Sequence, residues 1–328
     1  MASPDSPGGD ALVLTDASTI PEDPPREILY HHKVRFIESL RTLWNHREIM
    51  YTLAERDFRA QYKQATLGIL WAVLSPVATL VIFVIVFSRV KGLVNLPPGL
   101  PYALYAFVGI LCWTFFATSL GSGGNALLAN KALLAKTQFP RECFPLETML
   151  VGGLNTVLSW VPLALLFVIF GRAPALTTLW VPLFMVIEVA FAAGVTLAIS
   201  SLIIQMRDLV QVLPIILSLG LFATPVIWPF SKIPTSAHIA FGHHVHRLVV
   251  DGHVVAAHWV GGITVNPQMI YGFINPLGPV INNARRTMLL GQSPEFALMA
   301  VAALGALLYL AVGYRIFKRF EVNFADIA

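Results

Sequence analysis

The sequence predicts an all-α polytopic membrane protein. It has six transmembrane helices, an N-terminal interfacial amphipathic helix, and an extracytoplasmic re-entrant cap between spans five and six. Three observations carry this reading. The 328-residue chain is 56% hydrophobic and 12% charged, with a mean hydropathy of +0.70, against roughly 25% charged residues in soluble domains. Uncharged stretches recur along it, and a spanning helix needs about 20 apolar residues. Lys and Arg fall unevenly between the loops that would alternate across a bilayer.

The first element is a tail, residues 1–30 (MASPDSPGGDALVLTDASTIPEDPPREILY), rich in Pro, Gly, Asp and Ser. With little to bury, it is expected to be a disordered cytoplasmic segment. It has no basic stretch followed by an apolar core, so it does not read as a signal peptide. Residues 33–64 form the second element. Phe36/Ile37, Leu40, Leu43/Trp44, Ile49/Met50, Leu53, Phe58 and Tyr62 recur at roughly helical intervals there. Arg35, Arg41, Arg47, Arg56, Arg59 and Lys63 fill much of the rest. An aromatic-rich apolar stripe opposite a basic face predicts a helix lying in the membrane interface. A mere anchor needs no acidic residues, yet Glu55 and Asp57 sit among the basic ones. Mixed charge suits a docking surface that another protein reads.

The transmembrane domain is 65–328. After Lys63 no charge occurs until Arg89, which sets the first span at 67–88. Spans at 102–120, 146–170, 209–228 and 296–316 follow from the same criterion, and 179–202 is interrupted only by Glu188. Eight Lys/Arg precede residue 67, and Lys131, Lys136, Arg141, Arg207, Arg315, Lys318 and Arg319 share their side, against seven on the other. Both termini are therefore expected in the cytoplasm, in a cytoplasmic (inner) membrane. The cap, 229–295, contains an uncharged run at 254–284. A seventh span there would turn the terminal basic cluster outward, and Gly261, Gly262, Pro267, Gly272, Pro276, Gly278 and Pro279 break it. Short helices joined by turns are expected, dipping into the outer leaflet where protein covers them.

Several function classes drop out. No Lys/Arg-rich run with interleaved aromatics suggests nucleic-acid binding. No D-x-D occurs, which argues against a polytopic glycosyltransferase. Cys112 lies in an apolar run and Cys143 beside a loop, so no disulfide is expected. His238, His243, His244, His246, His253 and His258 gather in the cap, but no Cys joins them and Asp251 is the one nearby carboxylate. No metal site is assigned; these residues are expected to dress an interfacial helix, with Trp259 near the headgroups. An ion-coupled secondary transporter of a small polar solute remains the alternative, although no convincing internal repeat is visible.

Four stretches carry a resemblance: RDFRAQYKQATLGILWAVLSP (56–76), NKALLAKTQFPRECFPL (130–146), RDLVQVLPIILSLGLFATPVIWP (207–229), and INPLGPVINNARRTMLLG with the terminal FEVNFADIA. In this order, from about residue 33 to the C-terminus, the chain resembles the membrane subunits of ABC-2-type polysaccharide exporters, which move O-antigen, teichoic acid or galactan. The segment 231–273 departs from the pattern, being longer and richer in His. The resemblance implies a homodimer of six-span subunits, paired with two copies of a separate ATPase that binds ATP and Mg²⁺. It also implies a lipid-linked polysaccharide substrate. No Walker A motif occurs here, so no cofactor is expected in this chain and the chain is not itself an enzyme. The cargo is not separable among the three polymers; the Ala/Val/Gly-rich usage hints at a GC-rich genome and at galactan.

Under that resemblance, the expected ATPase-coupling residues are Arg56 and Asp57, the loop residues Lys131, Lys136, Phe139, Pro140 and Arg141, and the turn residues Arg207 and Asp208. Pro140 would set the chain's exit angle, with Phe139 as apolar anchor and Arg141 as charged clamp. The plainer reading of Arg207-Asp208 is a helix boundary. A conduit for neutral sugar chains needs small hydroxyl-bearing and aromatic side chains. Gly68, Ala72, Ser75 and Thr79, with Trp71 and Phe83, supply them in span one; Gln211, Pro214, Ser218, Phe222 and Pro225 supply them in span five. Close helix packing through small residues is the competing reading. Glu188, with Ala192, Thr196 and Ser200 at i+4 steps, is expected to bond a neighbouring helix rather than relay protons.

Overall fold

The computed structural model describes residues 41, 43–63, 65–87, 96–134, 140–240, 245–250, 253–259 and 262–321. Within them the chain runs α1 (Arg47–Tyr62), α2 (Leu70–Phe87), α3 (Tyr102–Ala129), the single turn α4 (Lys131–Leu134), α5 (Cys143–Leu158) and α6 (Trp160–Ile169). A 3₁₀ turn, Leu176–Trp180, leads into α7 (Val181–Gln205) and then α8 (Leu209–Ala223). Four short strands follow: β1 (Ala237–Ala240), β2 (Val245–Val250), β3 (His253–Trp259) and β4 (Gly262–Val265). The chain closes with α9 (Pro267–Ile274), α10 (Leu277–Leu289) and α11 (Phe296–Glu321).

Five stretches are long and apolar enough to cross a membrane: Leu70–Phe87, Tyr102–Ala129, Cys143–Ile169, Leu176–Gln205 and Phe296–Glu321. This is the polytopic helical architecture expected. The fifth predicted span differs. Its helix, α8, has 15 residues and is about 22 Å long, against a hydrocarbon core of roughly 30 Å; the rest of the predicted span, 224–228, is irregular. Longer stretches exceed the core instead. Leu176–Gln205, Tyr102–Ala129 and Cys143–Ile169, with 30, 28 and 27 residues, reach about 40 Å or more and overhang it by about 10 Å.

Local chemistry sets the helix ends. Pro101, in extended conformation, precedes α3, and a proline occupies the first turn of α7, where a missing N–H costs nothing. Helix α6 stops at Gly171, whose φ of +62° is open to a residue without Cβ. The Arg172 amide bonds the Phe167 carbonyl at 2.9 Å and the Gly171 amide bonds Val168 at 3.0 Å, the paired bonds of a Schellman stop. Asn266 caps α9, its side chain accepting from the amides of Gln268 at 3.0 Å and Met269 at 3.4 Å.

Helix α3 is the axis of the bundle. Leu104, Ala106, Phe107 and Leu127 along it are fully covered, and α2, α5, α7 and α10 pack around it. Helices α7 and α11 make the closest crossing, with backbone against backbone at Gly194 and Gly313. Beside that crossing Phe116 stacks on Phe191, their centroids 4.9 Å apart, and Phe191 meets Tyr309 edge-on at 4.9 Å.

The helical part of the cap folds back along α11: α9 packs beside it, the chain turns at Asn275, and α10 follows. Tyr309 donates to the Ile274 carbonyl at 2.8 Å, and the Phe273 carbonyl lies against Gly305. Gly305 is nine residues below Phe296, so the tip reaches about 14 Å down α11.

The His-rich segment corrects the sequence reading. It forms no interfacial helix; β2 pairs with β3 and β1 with β4, both antiparallel. His238 lies in β1, His246 in β2, and His253 and His258 in β3, while His243 and His244 lie outside the described residues. The reason is legible afterwards. VHRLVV and HVVAAHW are Val-rich and alternate, favouring a pleated surface. The dipeptide Asp251-Gly252 stands between the paired Val250 and His253, a strong hairpin signal. The predicted tail 1–30 lies outside the described residues.

Candidate functional site

Two regions of the bundle hold the predicted functional residues, one at each of the ends where the helices turn. The end carrying the α3–α5 loop and the C-terminus of α11 is the basic end; the other is the cap end.

At the basic end, side chains tie the loop to the terminal helix. Glu142 is 1% exposed and pairs with the Lys318 ammonium, which also bonds Glu321 at 2.8 Å and lies over the Tyr314 ring. Arg141 donates from Nη1 to the Glu321 carbonyl at 2.5 Å, satisfying a terminal helix carbonyl with a cation. Arg141 was expected to point outward as a clamp; the structure gives it this partner within the chain. Pro140 is half-buried beside it, and Lys131 lies in α4. Lys136 and Phe139 fall outside the described residues.

Helix α1 packs along α5 with Leu53 and Ala54 buried. Tyr62 donates to Asn155 at 2.8 Å, and Asn155 donates to Gln61 at 3.3 Å. Arg56 and Asp57 form an ion pair at 2.6 Å, and that hydrogen bond holds the Arg56 guanidinium above its ordinary pKa. The turn between α7 and α8 leaves Arg207 and Asp208 exposed. Asp208 stands at the N-cap of α8 without a side-chain cap bond, so its carboxylate does not serve the helix end. The described coupling residues thus lie on three separate elements of the basic end.

The predicted path residues divide. On α2, Trp71 is 47% exposed and Ser75 is exposed, while Thr79 is half-buried. Gly68 lies outside the helix, in the preceding turn at φ +52°, and so cannot extend that stripe. Phe83 faces inward instead, in one buried cluster with Leu80 and residues of α3, and Ala72 is buried too. Ser159, where α5 gives way to α6, donates to the Ala72 carbonyl at 3.0 Å. On α8, Gln211, Pro214, Ser218 and Phe222 are all exposed, and Leu213 is the one buried residue of the helix. Pro225 lies beyond the helix end and is buried. An apolar helix with one buried residue is not positioned by packing along its length within this chain.

What holds α8 is its far end. The last residues of α8 and the irregular segment 224–228 would otherwise leave carbonyls open, at a cost of several kcal/mol each in apolar surroundings, and each carbonyl from 222 to 227 has a donor. Trp228 Nε1 serves Phe222 at 2.9 Å, Tyr271 serves Ala223 at 2.9 Å, and the Val226 amide serves Thr224 at 2.7 Å. Arg285 serves Pro225 at 2.7 Å and Val226, and Tyr102 serves Ile227 at 3.4 Å. Arg285, 3% exposed, also donates to Tyr105 O at 2.9 Å and lies 3.7 Å from the Tyr105 ring centroid. Gly109 makes room for it; a Cβ there would meet the Arg285 guanidinium and stand 2.6 Å from the Val226 oxygen. Sequence reasoning passed over Arg285, Glu142 and Lys318. The available signal was a pair of arginines in an otherwise uncharged, bilayer-level stretch.

Glu188 is 3% exposed. It lines a small cavity with Cys112, Thr156 and Trp160, and also a larger groove of about 740 Å³ with Met50, Tyr51 and Phe58; its Oε1 has no hydrogen-bond partner among the described residues. Thr196 and Ser200 below it are fully buried, and Thr196 lies against Gly123 of α3.

Comparison with known proteins gives a consistent result. A model of the family described as ABC-2 type transporter matches residues 49–243. An O-antigen export system permease protein, RfbA of Myxococcus xanthus, is 30% identical over 197 residues, covering 60% of this chain and 74% of that protein. RfbA of Klebsiella pneumoniae is 29% identical over 189 residues, 57% of this chain and 71% of that one. The polysialic acid transport protein KpsM of Escherichia coli is 22% identical over 219 residues, 64% of this chain and 83% of its own length.

Proposed function

The chain belongs to the ABC-2 type transporter family, and from that premise we propose that it is the permease subunit of an ATP-driven exporter of lipid-linked cell-surface polysaccharide. Two copies form the conduit in the cytoplasmic membrane, with both termini on the cytoplasmic side. Two copies of a separate ATPase chain bind ATP and Mg²⁺ and drive it. The cargo is a polymer of the O-antigen, galactan or teichoic-acid kind.

One observation supports this reading above the others. Helices α2 and α8 each turn outward a face that mixes hydroxyls and aromatics, with Trp71 and Ser75 on one and Ser218 and Phe222 on the other. Neither face has a partner among the described helices. A second copy of the chain meeting these faces encloses a lining suited to sugar rings, whose CH faces stack on aromatics and whose hydroxyls bond small polar groups. At the basic end, α1, α4 with the Pro140–Glu142 segment, and the Arg207-Asp208 turn are the elements offered to a partner.

The test is reconstitution in vesicles, with and without the proposed ATPase partner chain, following protected lipid-linked glycan. Transport that needs both chains and ATP is expected. Transport by this chain alone would overturn the proposal, as would an epitope tag at the C-terminus that proves accessible from outside the cell.

A further inference from the structure

A polar crevice of about 180 Å³ opens at the cap end, between α3, the start of the cap and α10. Tyr105, Ser231, Gln268, Asn282, Arg285 and Arg286 line it, with Glu295 at its side. Its charges do not cancel. Arg286 is paired with Glu295 at 2.9 Å and also donates to the Ser293 carbonyl at 2.8 Å. Arg285 has no carboxylate partner among the described residues; its acceptors are the three carbonyls of Tyr105, Pro225 and Val226. A guanidinium carries five N–H groups, so two remain unspent. A buried cation without a counter-charge carries a desolvation penalty of several kcal/mol, and neutral carbonyls offset only part of it.

Further groups make the crevice more than a gap. Asn282 is half-buried, and its amide has no protein partner among the described residues. Ser231 is exposed at the lip. Gln268 is fixed by its bond to the Ile233 carbonyl at 2.8 Å. The depth is informative too. Arg285 bonds the fourth residue of α3, about one turn from the helix start, so the crevice opens near the cap-side end of the bundle.

We propose that this crevice binds a phosphate group, held by the unspent N–H groups of Arg285 with Asn282 and Ser231 as neutral donors. Planar guanidinium forks suit phosphate oxygens. The phosphate comes either from a membrane lipid headgroup or from a free phosphate ion. The proposal does not rest on the export function.

The experiment uses the full chain. In detergent at constant ionic strength, sodium phosphate is compared with sodium chloride for its effect on the melting temperature. In nanodiscs, native mass spectrometry compares retention of phosphatidylglycerol with that of a diglucosyl diacylglycerol, which has no phosphate. Asn282→Asp leaves the three Arg285–carbonyl bonds in place and adds a negative charge to the crevice. It is expected to weaken phosphate binding by about tenfold or more, with the melting temperature in chloride at or above that of wild type, because the new carboxylate supplies the counter-charge Arg285 lacks. Ser231→Asp at the exposed lip provides a second variant with the same expected direction. Stabilisation by free phosphate and by phosphatidylglycerol, both lost in the variants, supports a site open to either source. Preferential retention of phosphatidylglycerol alone, lost in the variants, supports a headgroup site. A wild type indifferent to both probes, or variants that bind as tightly as wild type, overturns the proposal and leaves Arg285 as an internal rivet.

Discussion

Gly313→Ala is expected to force apart the tightest helix pair in the molecule. A Cβ at position 313 would stand 2.6 Å from the Gly194 carbonyl carbon and 3.0 Å from its Cα, and nearer still to its oxygen, where ordinary contact begins at 3.4 Å. All three atoms are backbone, so no rotamer change relieves the clash. The helices must separate by on the order of 1 Å, and an interior packed to crystal density does not absorb that locally. Overpacking of this kind costs about 1–3 kcal/mol, and the upper end is expected because rigid backbone meets rigid backbone. Gly121→Ala is the internal control. It also lies in a helix, but the nearest atom to its Cβ would be Leu217 Cδ1 at 4.0 Å, so the substitution is expected to be neutral or to stabilise by about 0.5–1 kcal/mol. The measurement is denaturant-induced unfolding in mixed micelles, reading both variants against wild type. Equal stability of Gly313→Ala and wild type would refute the crossing geometry.

Three further outcomes follow from the same reasoning. Lys318→Met leaves Glu142 buried and unpaired and is expected to destabilise by about 3–5 kcal/mol; adding Glu142→Gln should restore most of it, and a double-mutant cycle without coupling would remove the pair from its role. Ser218→Cys, in a background lacking Cys112 and Cys143, should cross-link two copies through a short bifunctional reagent, whereas Leu304→Cys, 62% exposed on α11, should not; the reverse pattern on a denaturing gel would move the dimer contact away from α8. Glu188→Gln preserves the shape of a buried carboxyl, so stability and export should both stay near wild type. Abolished export at unchanged stability would make Glu188 part of a proton path after all.

The sequence is most readable where a single pattern has a single physical outcome. Long uncharged stretches became α2, α3, α5 with α6, α7 and α11, because lipid and bundle interior both demand apolar side chains and internally bonded backbone. The amphipathic stripe of 33–64 became α1 over 47–62, with Leu53 and Ala54 inward and Ile49 and Tyr51 exposed; Trp44, just before it, is exposed as well. Reading failed where hydropathy conceals backbone. Residues 209–228 are uniformly apolar, yet only fifteen of them are helical, since Pro225 removes a donor and side chains from three distant elements take up the carbonyls left open. Those donors, Tyr102, Tyr271 and Arg285, lie as much as 125 residues away from the carbonyls they serve, beyond any local periodicity. The His-rich hairpin failed for another reason: the eye went to the histidines, whereas the valines between them set the strand.

Small polar residues at i+4 spacing show why the path could be only half read. The same stripe occurs on α2, α7 and α8, and it has two outcomes. On α7, Glu188, Ala192, Thr196 and Ser200 are all buried, and the cause lies on the facing helix. Gly123 and Gly124 of α3 let the backbones close, so a Cβ at Gly124 would stand 3.0 Å from Ile199 and 3.2 Å from Ile203. There the stripe is a packing seam. The outward faces of α2 and α8 meet no such glycine-bearing partner; Ser75, Ser218 and Phe222 stay exposed although their helices are as apolar as α7. Stripe chemistry alone cannot distinguish these outcomes, because lipid, a second copy and a water-filled conduit all accept small side chains. The glycine content of the opposing helix can. A small-polar stripe facing glycines of its own chain is a seam, and one that faces none is available to another surface.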